Sequence, residues 1–301
     1  MNEIITRTSC PVCSESMIRP VLSCMDHTLS RKDFEIWQCD HCELRFTQDA
    51  PNQEAMGPYY QSVNYISHSE TDVGFINRLY KIARNYTLHW KMKLVRRQTG
   101  KEHSPGSLLD IGAGTGAFVQ EVIAAKWAAR GLEPDEGARK VGYEKYRVQL
   151  DSPEILFNLP PHSFDAVTMW HVLEHVHQLH EYIRAIRRIL KREGVAFIAL
   201  PNYTSEDATH YGANWAAYDV PRHLYHFAPA SVRNLVGQHK MKVDAVIPMW
   251  LDAYYIAMLS EQYKKGKNAM IPAMVSGMKS NWHALRKKET CSSLVYIIRM
   301  E

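Results

Sequence analysis

The sequence predicts an α/β protein: a largely parallel sheet with helices on both faces, preceded by a small module that a bound ion holds together. Three observations carry this. Residues 105–201 alternate short apolar, strand-like runs with helical stretches, the order that lays a parallel sheet between helices. A glycine-rich turn, Gly112-Ala113-Gly114-Thr115-Gly116, joins the first of those runs directly to a helix. Two Cys-x-x-Cys pairs stand within the first fifty residues.

Length and composition bound the reading. The chain has 301 residues, 46% of them hydrophobic, which suffices for one full-sized domain and a small attachment. A formal charge of +4 is too mild to imply a nucleic-acid partner by itself. No internal repeat points to a solenoid. The opening MNEIITRTSC lacks an apolar signal-peptide core, and no later run is apolar enough to span a bilayer, so a cytoplasmic location is expected. There, six cysteines read as metal ligands or free thiols rather than disulfides.

The first element is the cysteine module, residues 1–50. Cys10-Pro-Val-Cys13 and Cys39-Asp-His-Cys42 each present two thiolates to one tetrahedral ion, and together they complete a four-cysteine zinc site. The stretches MIRPVLSCMD and EIWQC supply a hairpin between the pairs. Phe34, Ile36, Trp37 and Phe46 supply an apolar core small enough to need the metal. A closed four-thiolate site leaves no open position, so its role is structural. Cys24 and His41 are the substitutes should one thiolate not serve.

Residues 51–104 form a linker and a leading helix, Phe75 to Gln98, with Ile76, Leu79, Ala83, Tyr86, Trp90 and Leu94 at core-facing spacing. Its basic end, KMKLVRRQTGK, reads as a solvated helix terminus rather than a phosphate site. From 105 onward come the strand SLLDI, the glycine turn, the helix AFVQEVIAAKW, and a strand from Ala129 to Leu132 that ends in Glu133. A helix (136–146), a strand (146–150), the strand FDAVTMW, a helix of about 179–191 and the strand VAFIALP follow. KVDAVIPMW and SSLVYIIR read as the last two strands, and about 251–288 as a helical insertion between them.

Taken in order, LLDIGAGTG, Glu133 and FDAVTMWHVLEH resemble the class I S-adenosylmethionine-dependent methyltransferases, over about residues 105–250. Within that class the resemblance is to the subgroup that includes the ubiquinone-biosynthesis O-methyltransferases. It implies a Rossmann-like seven-stranded sheet, with the last strand antiparallel and slotted between its neighbours. It also implies roles. Asp110 and the loop of Gly112, Ala113, Gly114 and Gly116 would hold the methionine moiety of the cofactor. Glu133, followed by Pro134, would bind the ribose, with Leu150 and Asp151 beside the adenine. Trp170 and His171 would face the sulfonium and the acceptor. The leading helix often closes over the cofactor in this family, which would bring Tyr65 near.

Methyl transfer asks mainly for alignment and exclusion of water, with a general base where the acceptor is a hydroxyl or an acidic carbon. His171 is the candidate nearest a strand end. Glu174 and His175 are expected to brace their segment against the sheet. The loop Asp219-Val-Pro-Arg222-His223-Leu-Tyr225-His226-Phe227 resembles a stretch recurring in this subgroup, and His223 or His226 is its candidate base or orienting group. HVLEH also matches a zinc-protease signature, but it follows a buried strand at the methyltransferase position.

The expected function is therefore methyl transfer to an oxygen or carbon of a small-molecule or biosynthetic-intermediate acceptor. An RNA methyltransferase whose zinc module grips nucleic acid is the alternative, disfavoured by the mild charge and by MWHVLEH where exocyclic-amine enzymes carry Asn/Asp-Pro-Pro-aromatic. A non-catalytic module that keeps the cofactor fold is a third reading, and a nicotinamide enzyme a fourth. The spacing GxGxG, rather than GxGxxG, speaks against the last.

Overall fold

A computed structural model describes residues 3–60, 75–266 and 269–301, without the side chains of 75–83. Tyr65, and the inward face expected at Ile76, Leu79 and Ala83, lie outside what is described.

The first fifty residues carry β1 (Ile4–Ile5), β2 (Ile18–Met25), β3 (Asp33–Cys39), β4 (Arg45–Thr47) and β5 (Ala50–Pro51). β2 and β3 form the antiparallel hairpin between the cysteine pairs, and β4 adds to β3. Ile36 and Phe46 are fully buried at its centre, whereas Phe34 and Trp37 are only half-buried.

Helix α1 (Phe75–Gln98) leads into the main body. Tyr86 does not face the core; it is 64% exposed. Leu94 is buried as expected and Trp90 packs partly buried beside it; Met92 and Val95 join them in one cluster with Phe118 and Val122.

Then follow β6 (Ser107–Ile111), α2 (Ala117–Ala124), β7 (Ala128–Leu132), α3 (Glu136–Tyr146), β8 (Phe164–Trp170), α4 (Leu179–Ile189) and β9 (Leu190–Pro201). After them come α5 (Glu206–Tyr211), β10 (Tyr225–His226), α6 (Pro229–Gly237), β11 (Met241–Pro248), α7 (Asp252–Lys265), α8 (Met270–Arg286) and β12 (Ser293–Met300). Among the described residues the main sheet has six strands in the order β11-β12-β9-β8-β6-β7. β7, β6, β8 and β9 run parallel, and β12 lies antiparallel between β9 and β11.

The expected strand over 146–150 is reduced to one parallel bridge, Leu132 to Asp151. Its two hydrogen bonds, Glu133 N–H to Asp151 O and Asp151 N–H to Gly131 O, are both 2.9 Å. α3 stops at Arg147 in a left-handed turn (φ 56°), and Pro153 follows, so few residues remain that can pair.

Two tertiary joints position the site. The buried Asp207 carboxylate accepts from Trp215 Nε1 (2.8 Å), Ser280 Oγ (2.7 Å) and Ser292 Oγ (2.6 Å), tying α8 and the start of β12 to α5. β10 pairs antiparallel with β4, so a strand of the main body completes the cysteine module's sheet. The module is thus built into the molecule by main-chain hydrogen bonds.

Candidate active site

The glycine turn stands at the C-terminal end of β6, where a parallel sheet offers its crevice. Gly112, Gly114 and Gly116 all have positive φ (75°, 55° and 77°), a conformation L side chains rarely adopt. They are not equivalent. A Cβ on Gly112 would meet Val172 Cγ2 at 2.2 Å, whereas one on Gly114 would meet nothing within 4 Å. Gly112 is closed by the fold, and Gly114 faces open space. Gly116 caps α2, whose first N–H groups point toward the turn.

Below the turn lie two buried acids. Asp110 Oδ1 accepts from Thr168 Oγ1 at 2.6 Å. Burial pushes this carboxyl up to about 7, although Thr168 and the nearby Lys91 ammonium pull it down. Glu133 accepts from the Gly114 N–H at 2.7 Å and the Asp135 N–H at 3.0 Å, which fixes the carboxylate at the tip of β7. Burial raises its pKa against those two hydrogen bonds. Beside it, Leu150 is buried and Asp151 is held by Arg130 Nε at 2.7 Å.

Lys91 was not legible as a site residue. Its Nζ lies 4.3 Å from the Trp170 ring centroid, a cation–π contact, and Trp170 meets Phe118 edge-on at 5.7 Å. Burial lowers the Lys91 pKa, opposed by Asp110 and Asp252. In sequence it is one cation in a basic helix end, and only its tertiary neighbours set it apart.

His171 follows β8 with φ 58°. Its Nε2 is 2.9 Å from Asp252 Oδ2, the first residue of α7, and its Nδ1 is 3.5 Å from Glu174 Oε1. Burial opposes a charge here, but Asp252 and Glu174 outweigh it and push the imidazole up to about 10. At neutral pH His171 is therefore an imidazolium: a hydrogen-bond donor, not a base.

His175 and His223 stand with ring centroids 4.6 Å apart. Each directs Nδ1 at a main-chain carbonyl, Arg222 O at 3.1 Å and Ala217 O at 2.8 Å. A carbonyl can only accept, so the His223 Nδ1 carries a proton, while the His175 Nδ1 is shared with the Tyr60 hydroxyl at 3.1 Å. With the fully buried Glu174, these rings bring ligand atoms within 4.8 Å of one another, an arrangement able to take a divalent cation. His226 sits apart, on β10 against the cysteine module, with Nε2 3.2 Å from Thr47 Oγ1. The Thr47 proton goes to His223 O at 2.7 Å, so the ring nitrogen donates. Burial, with His223 and Arg45 nearby, holds His226 well below its ordinary pKa.

The loop carrying these histidines is pinned by Arg222, only 2% exposed. Its guanidinium grips Asp219 with Nη2 (2.6 Å) and Nε (3.0 Å), and also reaches Asp26 of the cysteine module (3.2 Å) and Tyr59 O (3.2 Å). The structure thus gathers His171, His175 and His223 around Glu174, and leaves His226 in the joint.

In the cysteine module, Cys10 and Cys42 sulfurs are 3.5 Å apart, as are those of Cys13 and Cys39, and all four lie within 4.8 Å of one another. Tetrahedral zinc with sulfurs at about 2.3 Å needs them about 3.8 Å apart. The Val12 N–H points at Cys10 Sγ (3.4 Å), as second partners of ligating thiolates do. Without a cation the four compete for protons: the Cys42 hydrogen bond lowers Cys10 to about 5, while burial raises Cys13 to about 11. The donor set fits zinc.

Sheet order, antiparallel β12, the glycine turn and Glu133 at the next strand's tip define a class I S-adenosylmethionine-dependent methyltransferase. A family model described as a methyltransferase domain matches residues 81–245, more than half of the 301, and the chain belongs to that family. Ubiquinone biosynthesis O-methyltransferase of Xanthomonas oryzae pv. oryzae is 35% identical over 131 residues, covering 40% of this chain and 54% of that protein. Its counterpart in Xanthomonas campestris pv. campestris is 34% identical over 135 residues, covering 41% and 56%. The chain thus spans little more than half the length of these curated relatives. Magnesium protoporphyrin IX methyltransferase from Synechocystis PCC 6803 superposes with a TM-score of 0.52 at 13% identity, over 82% of this chain and 100% of that one. That likeness is one of fold.

Proposed function

We propose that this protein transfers a methyl group from S-adenosylmethionine to an oxygen or carbon of a small-molecule acceptor. One observation carries the reading: Gly114, at the mouth of the parallel sheet, faces open space while its N–H holds the buried Glu133, and a second buried acid, Asp110, stands in β6 just before the turn. When bound, the cofactor supplies a methyl group already activated by positive sulfur. Asp110 with Gly112, Ala113, Gly114 and Gly116 would hold its methionine end. Glu133 and Pro134 would take the ribose, and Leu150 and Asp151 the adenine edge. Trp170 would wall the methyl-bearing end.

On the acceptor side, His171 has a charge balanced by Asp252 and Glu174, and would donate to an acceptor oxygen. His223, with Nδ1 anchored on Ala217 O, is the candidate to take the acceptor's proton through Nε2. His226 would act through the loop, as a positioning residue. The relatives named for O-methylation support an oxygen acceptor. The four cysteines would hold structural zinc, and through β4 and β10 that metal would steady the loop bearing His223.

The test is calorimetric titration of folded, metal-analysed protein with S-adenosylmethionine, S-adenosylhomocysteine and NADH. Saturable binding of the first two and none of NADH is expected. If neither methionine compound binds, the reading fails.

A further inference from the structure

Helix α8 is packed with its apolarity reversed. Its buried face is made of small residues, Ala273, Ser276, Gly277, Ser280 and Ala284. They let α7 approach so closely that a Cβ on Gly277 would meet Tyr254 Cδ1 at 2.6 Å. The large side chains Met270, Ile271, Met274, Met278, Trp282 and Leu285 point outward, from 56% exposed at Met274 to 79% at Ile271. At about 100° per residue they form one stripe roughly 120° wide. A helix of a globular protein ordinarily turns such a stripe inward. A contiguous exposed one marks a surface that meets something else.

Charge decides what it meets. From Gln262 to Lys288 the sequence carries seven Lys or Arg and no Asp or Glu. Lys264 and Lys265 close α7, and Arg286 closes α8 with its guanidinium 5.8 Å from the Trp282 ring centroid. A second copy docked through this face about a two-fold axis would set the basic segment against itself. An anionic lipid surface supplies the missing charge, and Trp beside Arg suits the depth where headgroups meet acyl chains. Among the described residues no helix is long and apolar enough to cross a membrane, so such a helix lies in the interface.

We propose that α8 docks this protein on anionic bilayers, its apolar stripe in the headgroup–acyl boundary and its flanking cations on lipid phosphates. The inference is independent of methyl transfer. Its test is flotation of the full chain with phosphatidylcholine vesicles, with and without phosphatidylglycerol, at low salt. Wild type floats with the anionic vesicles only, and added salt releases it. Met278→Glu/Trp282→Glu stays in solution with unchanged thermal midpoint and zinc content, both sites being exposed. Arg286→Gln/Lys287→Gln/Lys288→Gln binds roughly a hundredfold more weakly, each cation near the surface counting for about fivefold. Three outcomes overturn the proposal: no flotation of folded wild type, equal flotation with neutral vesicles, or a dimer in sedimentation equilibrium that Met278→Glu/Trp282→Glu dissociates.

Discussion

Two glycines of the turn separate folding from binding when each becomes alanine. At Gly112 the new Cβ must displace Val172, 2.2 Å away, and adopt φ 75°. Left-handed backbone costs an alanine about 1–2 kcal/mol, and overpacking adds about 1–3, so Gly112→Ala loses about 2–5 kcal/mol. At Gly114 only the backbone cost applies, since nothing lies within 4 Å of the Cβ at φ 55°. That is about 1–2 kcal/mol, or a fall of about 2–8 °C in Tm for a domain of this size. Yet the methyl would occupy the open space proposed for the cofactor's approach. Denaturant titration paired with calorimetry of S-adenosylhomocysteine reads both quantities. Gly114→Ala should stay folded and lose binding at least tenfold, while Gly112→Ala loses stability. A Gly114→Ala variant that binds like wild type would refute the assignment of that open space to the cofactor.

Three further perturbations test the surrounding site. His171 has its folded pKa raised from the ordinary 6.5 to about 10, so its pairing stabilises the fold fully below pH 6.5 and that contribution fades as pH rises through 10. The imidazole resonances should titrate near 10 in wild type and lower in Asp252→Asn; titration near 6.5 in wild type would remove the imidazolium from the argument. Arg222→Ala removes the guanidinium that pairs with the part-buried Asp219 and the buried Asp26 and should cost about 3–5 kcal/mol by chemical denaturation, whereas a loss below about 1 would show the pair to be dispensable. Metal analysis should find one zinc per chain, lost in Cys39→Ser. Chelation should speed amide exchange at Tyr225 and His226 because β10 pairs with the module, and unchanged exchange would uncouple the two.

What was readable in sequence was local. The glycine turn, the acid one strand later and the Cys-x-x-Cys pairs are short patterns whose chemistry needs particular residues at fixed spacing, and each appears in the structure where its spacing placed it. Strand and helix periodicity likewise located β6, α3, β8 and β12 closely. Periodicity over 146–150 overstated a strand, because whether an extended run pairs depends on the chain beside it.

Contacts between distant residues decided the rest. Asp26 meets Arg222 across 196 positions, β4 meets β10, and Lys91 reaches Asp110 and Trp170; no local pattern encodes these. Asp252 begins a helix, which in sequence reads as an ordinary acidic first turn, yet it sets the charge of His171. Helix α8 shows the limit most directly. Apolar spacing tells which side of a helix is greasy, but burial is a property of the neighbours, and here α7 packs on the opposite, small-residue side. By itself the sequence determined the glycine turn, the two Cys-x-x-Cys pairs and the order of elements, because these follow from covalent spacing. Only the tertiary structure decided which charges meet, which histidine lies between two carboxylates and which apolar face is left exposed, because those depend on desolvation and on distances between segments far apart in the chain.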